Sequence, residues 1–539
     1  MKNMDNSYKL IDEGRKDELW KKHCGFFNLS RSEFREIQTR LMLEQITLLG
    51  SSKIGRNLMG GKIPASVEEF RQITPLTTSD DYSEILKEKR DEDLPEKPVV
   101  WARTSGHSSE AGPKWIPYTQ AMYDRLSDPG IAGMIMSSCN QPGDVRLGRN
   151  EKFLLASAPP PYMSGFLARS LEKNLEVTFL PNLDEGEQMG FSERVAAGFK
   201  LAISEGLDYF FGISVVLARL GEQFGQQSNN SIPAKALRNP TTLWRLVKAL
   251  VISKIQRRDI LPKDLWHIKG IVTSGTDTEI YKDKIEYYWG KKPLEGYACT
   301  EAGIMAMQAW NLKGMVFFPA NSFLEFIPLE EYQKNIDDPA YQPKTLLYDE
   351  LDLGFYELVL SNFNGGVLVR YRMGDLFEVV ANADEKIGSV LPQMRFYSRL
   401  DDIIDLGNFL RLTERDIWKT IEAAGLKYID WVAQKQTNLA YPTLHLYIEL
   451  ALSERISEEK VQELIRQSFS TNFSDYNDMK EMLGIEPVSV SLLPAGSFDA
   501  YMKAKVDAGA DLAHLKPGHM KPSEDVLLNL FNVTKETNK

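Results

Sequence analysis

The spacing of apolar and polar positions divides the chain into three stretches of different character. Over residues 1–90 the period is helical. Leu19, Trp20, Cys24 and Phe27 share one helix face, and Phe34, Ile37, Leu41, Ile46 and Leu49 share another. Ser66 stands before Val67-Glu68-Glu69-Phe70, with Glu69 spaced to close a capping box, and Thr78-Ser79 before Asp80-Asp81 gives a second N-terminal signal. This region is expected to be a helical cap whose apolar stripes belong to the core.

From Val99 to about Phe396, short apolar runs alternate with helical ones. Residues 153–157, 175–180 and 268–273 read as strands; 194–204, 241–256 and 280–289 read as helices. Such alternation predicts parallel sheets covered by helices, with ligands collecting at the carboxyl ends of the strands. The pattern changes near Tyr397-Ser398-Arg399-Leu400-Asp401-Asp402. Beyond it, helices at 413–424, 457–469 and 498–509 and strands at 428–433, 444–450 and 487–493 predict a small α+β domain. The expected fold class is therefore α/β, a large N-terminal domain over 1–396 and a smaller, mobile C-terminal domain over 397–539.

Composition narrows the function. The 539 residues carry a net charge of −11, with pI near 5.4. That argues against nucleic acid or an anionic membrane surface as the main partner. Three scattered cysteines, Cys24, Cys139 and Cys299, suit neither a disulfide framework nor a zinc site, and fit a reducing cytoplasm. Residues 1–18 are too polar for a signal peptide, and the apolar runs are too short to span a bilayer. No nucleic-acid or membrane partner is expected.

Four segments carry candidate chemistry. In Gly366-Val367-Leu368-Val369-Arg370-Tyr371-Arg372-Met373-Gly374-Asp375-Leu376-Phe377-Glu378-Val379-Val380, residues 367–371 and 376–380 read as two strands joined at Met373-Gly374. Gly374 would let the backbone turn and leave Asp375 at a strand edge, where a carboxylate accepts from two neighbouring hydroxyls such as those of a ribose. A plain hairpin with Arg372 and Asp375 paired at the surface fits the same letters. Thr104-Ser105-Gly106-His107-Ser108-Ser109-Glu110-Ala111-Gly112-Pro113-Lys114 has the hydroxyls, glycines and closing lysine of a polyphosphate-wrapping loop, without Walker A spacing; a surface loop is the alternative. Gly296-Tyr297-Ala298-Cys299-Thr300-Glu301-Ala302-Gly303 offers a hydroxyl for a phosphate oxygen and a carboxylate for Mg²⁺. Thr273-Ser274-Gly275-Thr276-Asp277 is a small-residue strand end against which a flat ring could lie.

Together and in this order, the segments resemble the motifs of the acyl-adenylate-forming superfamily, which includes acyl-CoA synthetases, nonribosomal adenylation domains and luciferase. The nearer likeness is to the auxin- and jasmonate-conjugating acyl-acid amido synthetases and their microbial relatives. Pro75-Leu76-Thr77-Thr78, Phe323-Leu324-Glu325-Phe326-Ile327-Pro328 and Tyr356-Glu357-Leu358-Val359 add to it, and the likeness runs from about Pro75 to Lys516. The family loop usually has Thr or Ser at the place of His107 and Gly near Ser109, and is one residue shorter before Pro113-Lys114.

The resemblance implies ATP, Mg²⁺ and two steps: a carboxylic acid is activated as acyl-AMP, then captured by an amino acid amine, or by CoA or another thiol. Thr104, Ser105, Gly106, His107, Ser108 and Lys114 would hold the β- and γ-phosphates, Thr300 the α-phosphate, and Glu301 Mg²⁺. Asp375 would take the ribose, with Arg399 beside it, while Ser274, Gly275 and Tyr297 would flank the adenine or the acyl group. Asp401 falls at the superfamily's hinge. Lys516, after Gly509-Ala510-Asp511-Leu512-Ala513-His514-Leu515, stands where the family's lysine reaches the reacting carboxylate. Two alternatives stay open at this point: an aryl- or acyl-CoA ligase of the phenylacetate type, and a non-catalytic nucleotide-binding interaction protein.

Overall fold

Chain connection lengths decide the central sheet. Strands β1 (Val100–Arg103) and β2 (Trp115–Tyr118) form a separate antiparallel pair. After them come β3 (Lys152–Ala156), β4 (Thr178–Phe179), β5 (Tyr209–Ile213), β6 (Gly270–Ser274) and β7 (Leu294–Cys299). Helices lie between each of these and the next, including Met163–Asn174, Phe191–Glu205, Pro240–Gln256 and Thr278–Trp289. Crossovers of that length return the chain in the same direction, and β4, β3, β5, β6 and β7 are parallel neighbours. Only three residues separate β7 from β8 (Gly303–Gln308), so that pair is antiparallel. The strands β9 (Met315–Phe317), β10 (Ser322–Pro328), β11 (Leu346–Leu347), β12 (Gly354–Asn362), β13 (Tyr371–Ala381) and β14 (Gln393–Arg399) continue the sheet. Among the described residues it has twelve strands, ordered β11, β10, β12, β13, β14, β9, β8, β7, β6, β5, β3, β4. The expected parallel sheet is thus only half of a mixed one.

The computed structural model describes residues 7–104, 114–227, 240–274, 278–400, 402–406, 410–436, 443–473, 476–477, 480, 486–507 and 516–531. The chain divides into two compact units, Met1–Tyr397 and Ser398–Lys539. The fold class is the α/β one expected, with a smaller α+β unit at the C-terminal end.

In the first unit the helix Ser127–Ser138 is buried along nearly its whole length. It lies so close to the sheet that a Cβ on Gly270 would stand 2.1 Å from Ser137 Oγ. The predicted N-terminal helices form at Lys16–Cys24 and Arg31–Ser51. Ser66 accepts from the Glu69 amide as its spacing predicts, but the Glu69 carboxylate accepts from Ala65 N rather than closing the box on Ser66. Leu41, Met42, Ile46, Leu49 and Phe70 pack on Phe323, Phe363 and Val369, so these helices cover the β10 end of the sheet.

The segment around Asp375 differs from the two-strand reading. Tyr371–Ala381 is a single strand, and residues 367–370 precede it as buried irregular chain. Where β13 pairs with β12 the register shifts: Arg372 faces Val359 and Leu376 faces Glu357. Three residues of β13 therefore oppose one of β12, a bulge rather than a hairpin turn. Gly374 has φ +68° with open space where a Cβ would be, so backbone conformation alone accounts for glycine there.

In the second unit, β15 (Ile404–Asp405) pairs with β16 (Arg411–Leu412). A sheet of β17 (Tyr428–Gln436), β18 (Thr443–Leu450) and β19 (Val488–Leu492) packs with the helices Glu414–Ala423, Glu458–Asn472, Ser497–Asp507 and Glu524–Phe531. The three predicted helices and three predicted strands each overlap an observed element, whereas β15, β16 and the helix Glu524–Phe531 were not predicted.

Candidate active site

The turn between β7 and β8 holds Thr300 and Glu301 at the carboxyl end of the last parallel strand, where the sheet changes to antiparallel. Parallel strands end there side by side, so β3, β5 and β6 deliver Ser157, Ser214 and Ser274 to the same margin. Two side chains fix this turn from outside. Tyr118 Oη, at the end of β2, donates to Thr300 O at 2.7 Å, and Asn362 Nδ2, at the end of β12, donates to Glu301 O at 3.0 Å. Both bonds are accepted by backbone carbonyls. Both residues are partly exposed.

Tyr118 also links this turn to the proposed phosphate loop. The β1–β2 pair ends in a clasp: Thr104 N donates to Lys114 O, and Lys114 N donates to Thr104 Oγ1, each at 2.9 Å. Thr104 and Lys114 are thereby held at the two feet of the loop. Ser105, Gly106, His107 and Ser108 lie outside the described residues, as do Gly275 and Asp401. Lys89 Nζ sits 3.5 Å from the Trp115 ring centroid, and Arg103 N donates to Pro161 O. The base of the loop is therefore held on two sides.

The bulge in β13 brings Asp375 onto Tyr297. Tyr297 Oη donates to Asp375 Oδ2 at 2.6 Å, and both residues are buried. Burial, and after it the charge of Asp375, pushes the phenol well above its ordinary range, so it stays a donor at neutral pH. The Tyr297 ring is stacked on Phe396 and met edge-on by Phe377. Next to it, burial followed by the charges of Glu301 and Asp375 pushes the Cys299 thiol far up. The thiol packs with Sγ 3.7 Å from Met305 Sδ.

A buried ion pair braces the bulge from behind. Arg370, at φ +44°, gives Nε and Nη2 to the two oxygens of Glu325 at 3.0 and 2.9 Å, and Nη1 to Thr74 O and Arg71 O. Burial alone would raise the Glu325 carboxyl, but Arg370, Thr345 and Arg71 outweigh it and hold it below its ordinary value. Thr77 N donates to Arg370 O and Arg372 N donates to Thr77 O, so residue 77 is stitched to the start of β13. Arg372 forks onto Glu357 on β12, with contacts of 2.6 to 3.2 Å. A surface pairing of Arg372 with Asp375 is not the arrangement, since Asp375 is buried against Tyr297.

Lys516 belongs to the second unit, and Arg399 ends β14 at its start. Lys516 Nζ lies 2.7 Å from Asp430 Oδ2. Asp430 Oδ1 is 2.8 Å from His519 Nε2, while His519 Nδ1 meets Glu414. The imidazole stacks on Trp431 at 4.4 Å. Burial opposes charge on His519, yet Asp430 and Glu414 outweigh it and raise the ring to about 9. Burial would likewise raise Asp430, but His519 and Lys516 bring it down to about 2. Two carboxylates thus hold an imidazolium and an ammonium.

Hydrogen bonds thus tie Thr300 to Tyr118, Tyr297 to Asp375, and Thr104 to Lys114. The roles of Tyr118, Asn362, Arg370, Glu325, Asp430 and His519 are absent from the sequence reading, although Arg370 and Glu325 lie inside segments it singled out. Their partners lie tens to hundreds of residues away. Among the described residues, no group of three or more His, Cys, Asp or Glu is arranged to hold a metal ion.

Residues 315–399 match the GH3 family central domain, and residues 415–524 match the GH3 family C-terminal domain. The structure resembles the AtGH3.15 acyl acid amido synthetase in complex with 2,4-DB, with TM-score 0.65 and 15% identity over 92% of this chain and 93% of that one. It also resembles a 2-hydroxyisobutyryl-CoA ligase in the postadenylation state in complex with 2-HIB-AMP, with TM-score 0.53 and 14% identity over 85% of each chain. At such identities the likeness is one of fold. No curated protein matches the chain by sequence.

Proposed function

We take as premise that this chain is a GH3-family protein with the acyl-adenylate-forming ligase fold, and we propose how its residues divide that reaction. A substrate carboxylate oxygen attacks the α-phosphorus of ATP, and the bond to the β-phosphate oxygen breaks to release pyrophosphate. An acceptor amine then attacks the acyl carbonyl, AMP leaves, and the nitrogen loses a proton. A thiol acceptor would follow the same course, and one structural neighbour is a CoA ligase.

Catalysis of this kind is chiefly positioning and charge stabilisation. Thr104 and Lys114, clasped at the feet of the loop, would bind the β- and γ-phosphates together with Ser105, Gly106, His107 and Ser108. The Thr300 hydroxyl would meet the α-phosphate on a turn already fixed through its carbonyl by Tyr118. Asp375, oriented by the Tyr297 hydroxyl, would take the ribose hydroxyls, helped by Arg399. Ser274, Gly275 and Tyr297 would border the adenine or the acyl group. Lys516 would leave Asp430 to meet the charge that grows on the reacting oxygens.

Glu301 would hold Mg²⁺ as such ions are commonly held, by one or two carboxylates with phosphates and waters rather than by a protein cage. When bound, that ion would neutralise charge on the departing pyrophosphate. The three free cysteines suit a reducing cytoplasm.

The observation that carries the reading is the pair of tyrosine bonds, Tyr118 to Thr300 and Tyr297 to Asp375, which gather three sequence-distant segments at one sheet margin. Exchange of labelled pyrophosphate into ATP, run with a panel of carboxylic acids, tests it. At least one acid should support exchange, and adding amino acids or CoA to the active mixture should then yield an amide or a thioester. Exchange with none of the acids, in folded protein that binds ATP, would overturn the proposal.

A further inference from the structure

The helix Pro240–Gln256 sits on the outside of the first unit, with Thr242, Leu246 and Ala249 facing inward. Its outer face is apolar: Leu243, Trp244, Val247, Leu250, Val251 and Ile255 are all exposed, Trp244 to 65% and Ile255 to 76%. At 100° per residue these six positions fall within an arc of about 140°, a continuous stripe. Scattered surface leucines need no explanation, but an ordered stripe with a tryptophan marks a contact surface.

Charge identifies what the stripe meets. No Asp or Glu occurs in the 36 residues between Glu222 and Asp259, where the chain's average would place about five. The same stretch holds seven Lys and Arg, in a protein of net charge −11. On the helix, Lys254 falls inside the apolar arc. Lys248 lies at its edge, with Nζ 5.5 Å from the Trp244 ring centroid. Long basic side chains beside apolar ones can lay their stems along the stripe and present their charge at its rim.

We propose that this face docks on an anionic lipid surface, lying in the interface with Trp244 and Ile255 buried among the acyl chains and Lys248, Lys254 and Arg257 at the headgroups. A second copy of the chain fits less well. A two-fold contact through this face would bring the same lysines together with no acid on either helix to match them. The helix lies on the bilayer rather than across it: no helix among the described residues is long and apolar enough to span one. The acidic remainder of the chain is repelled by the same surface, so docking would be confined to this face. The overall negative charge, which argued against a membrane partner, hides a local reversal of sign. The proposal is independent of the ligase reading.

The test is co-sedimentation of the full chain with vesicles of phosphatidylcholine alone and of phosphatidylcholine mixed equally with phosphatidylglycerol. The chain should pellet with the mixed vesicles and stay in solution with the neutral ones, and added salt should release it. Lys248→Ala/Lys254→Ala should lower the partition coefficient roughly thirtyfold, the loss expected for two basic groups near such a surface. Trp244→Glu/Val251→Glu alters only exposed positions and should abolish pelleting with the melting temperature unchanged. Three results would overturn the proposal. These are no pelleting with either vesicle, equal pelleting of the glutamate variant, or a concentration-dependent dimer in light scattering that the same variant disperses. The last would assign the face to a second copy.

Discussion

Asp375 and Tyr297 set the terms at the residue level. The carboxylate is buried, with one oxygen taken by a phenol at 2.6 Å, so in the proposed ribose contact it would be a fixed acceptor with little freedom to lose. Asp375→Ala is expected to weaken ATP binding by about 1.5–3 kcal/mol, the range for a hydrogen bond to a charged group, measurable by titration calorimetry. Lys516→Ala should instead slow pyrophosphate exchange with ATP affinity preserved if, as proposed, its charge acts where the transition state develops. Equal exchange rates would remove Lys516 from the mechanism. Asp375 was legible because Gly374 beside it announces an unusual backbone. Its partner Tyr297, 78 residues earlier, was legible only as part of another motif, since nothing local says which hydroxyl will meet which carboxylate.

Among the elements, the bulge of β13 depends on the Arg370–Glu325 pair. Removing one member of a buried, bidentate pair leaves the other charge unmatched, so Arg370→Met should cost about 3–5 kcal/mol of stability in urea unfolding of the first unit. In the second unit the groups around His519 predict a pH dependence. The ring rises from 6.5 to about 9 on folding, so its contribution is complete below about pH 6.5 and is lost as pH climbs through 9. Asp430 falls from 3.8 to about 2, so its contribution is present above about pH 4 and is lost only as pH drops through 2. His519→Gln should therefore flatten the loss of stability between about pH 6.5 and 10 seen in the parent protein, read by urea titration at each pH. Helices were well predicted from periodicity because their bonds are local. The bulge was not, because it exists only in the register between β12 and β13, and two strands with a bend between them satisfy the same letters.

For the molecule as a whole, the order of the motifs conveyed the fold class, and alternation conveyed the parallel half of the sheet. The antiparallel half was missed because its strands are nearly continuous apolar runs, buried on both faces, of the kind usually taken for parallel ones. Division into two units gives the hinge proposal its test. Asp401→Pro should impair acyl transfer from preformed acyl-AMP more than it impairs adenylation, and equal losses in both would argue against rotation. One stitch described above bears on how the protein is made. Thr77 Oγ1 donates to Val369 O across 292 residues, and the helices before it rest on Phe323 and Phe363. At about 5–20 residues per second, a ribosome would need roughly 15–60 s to supply that partner. For that interval the apolar faces of the first helices lack the partners that cover them in the folded protein.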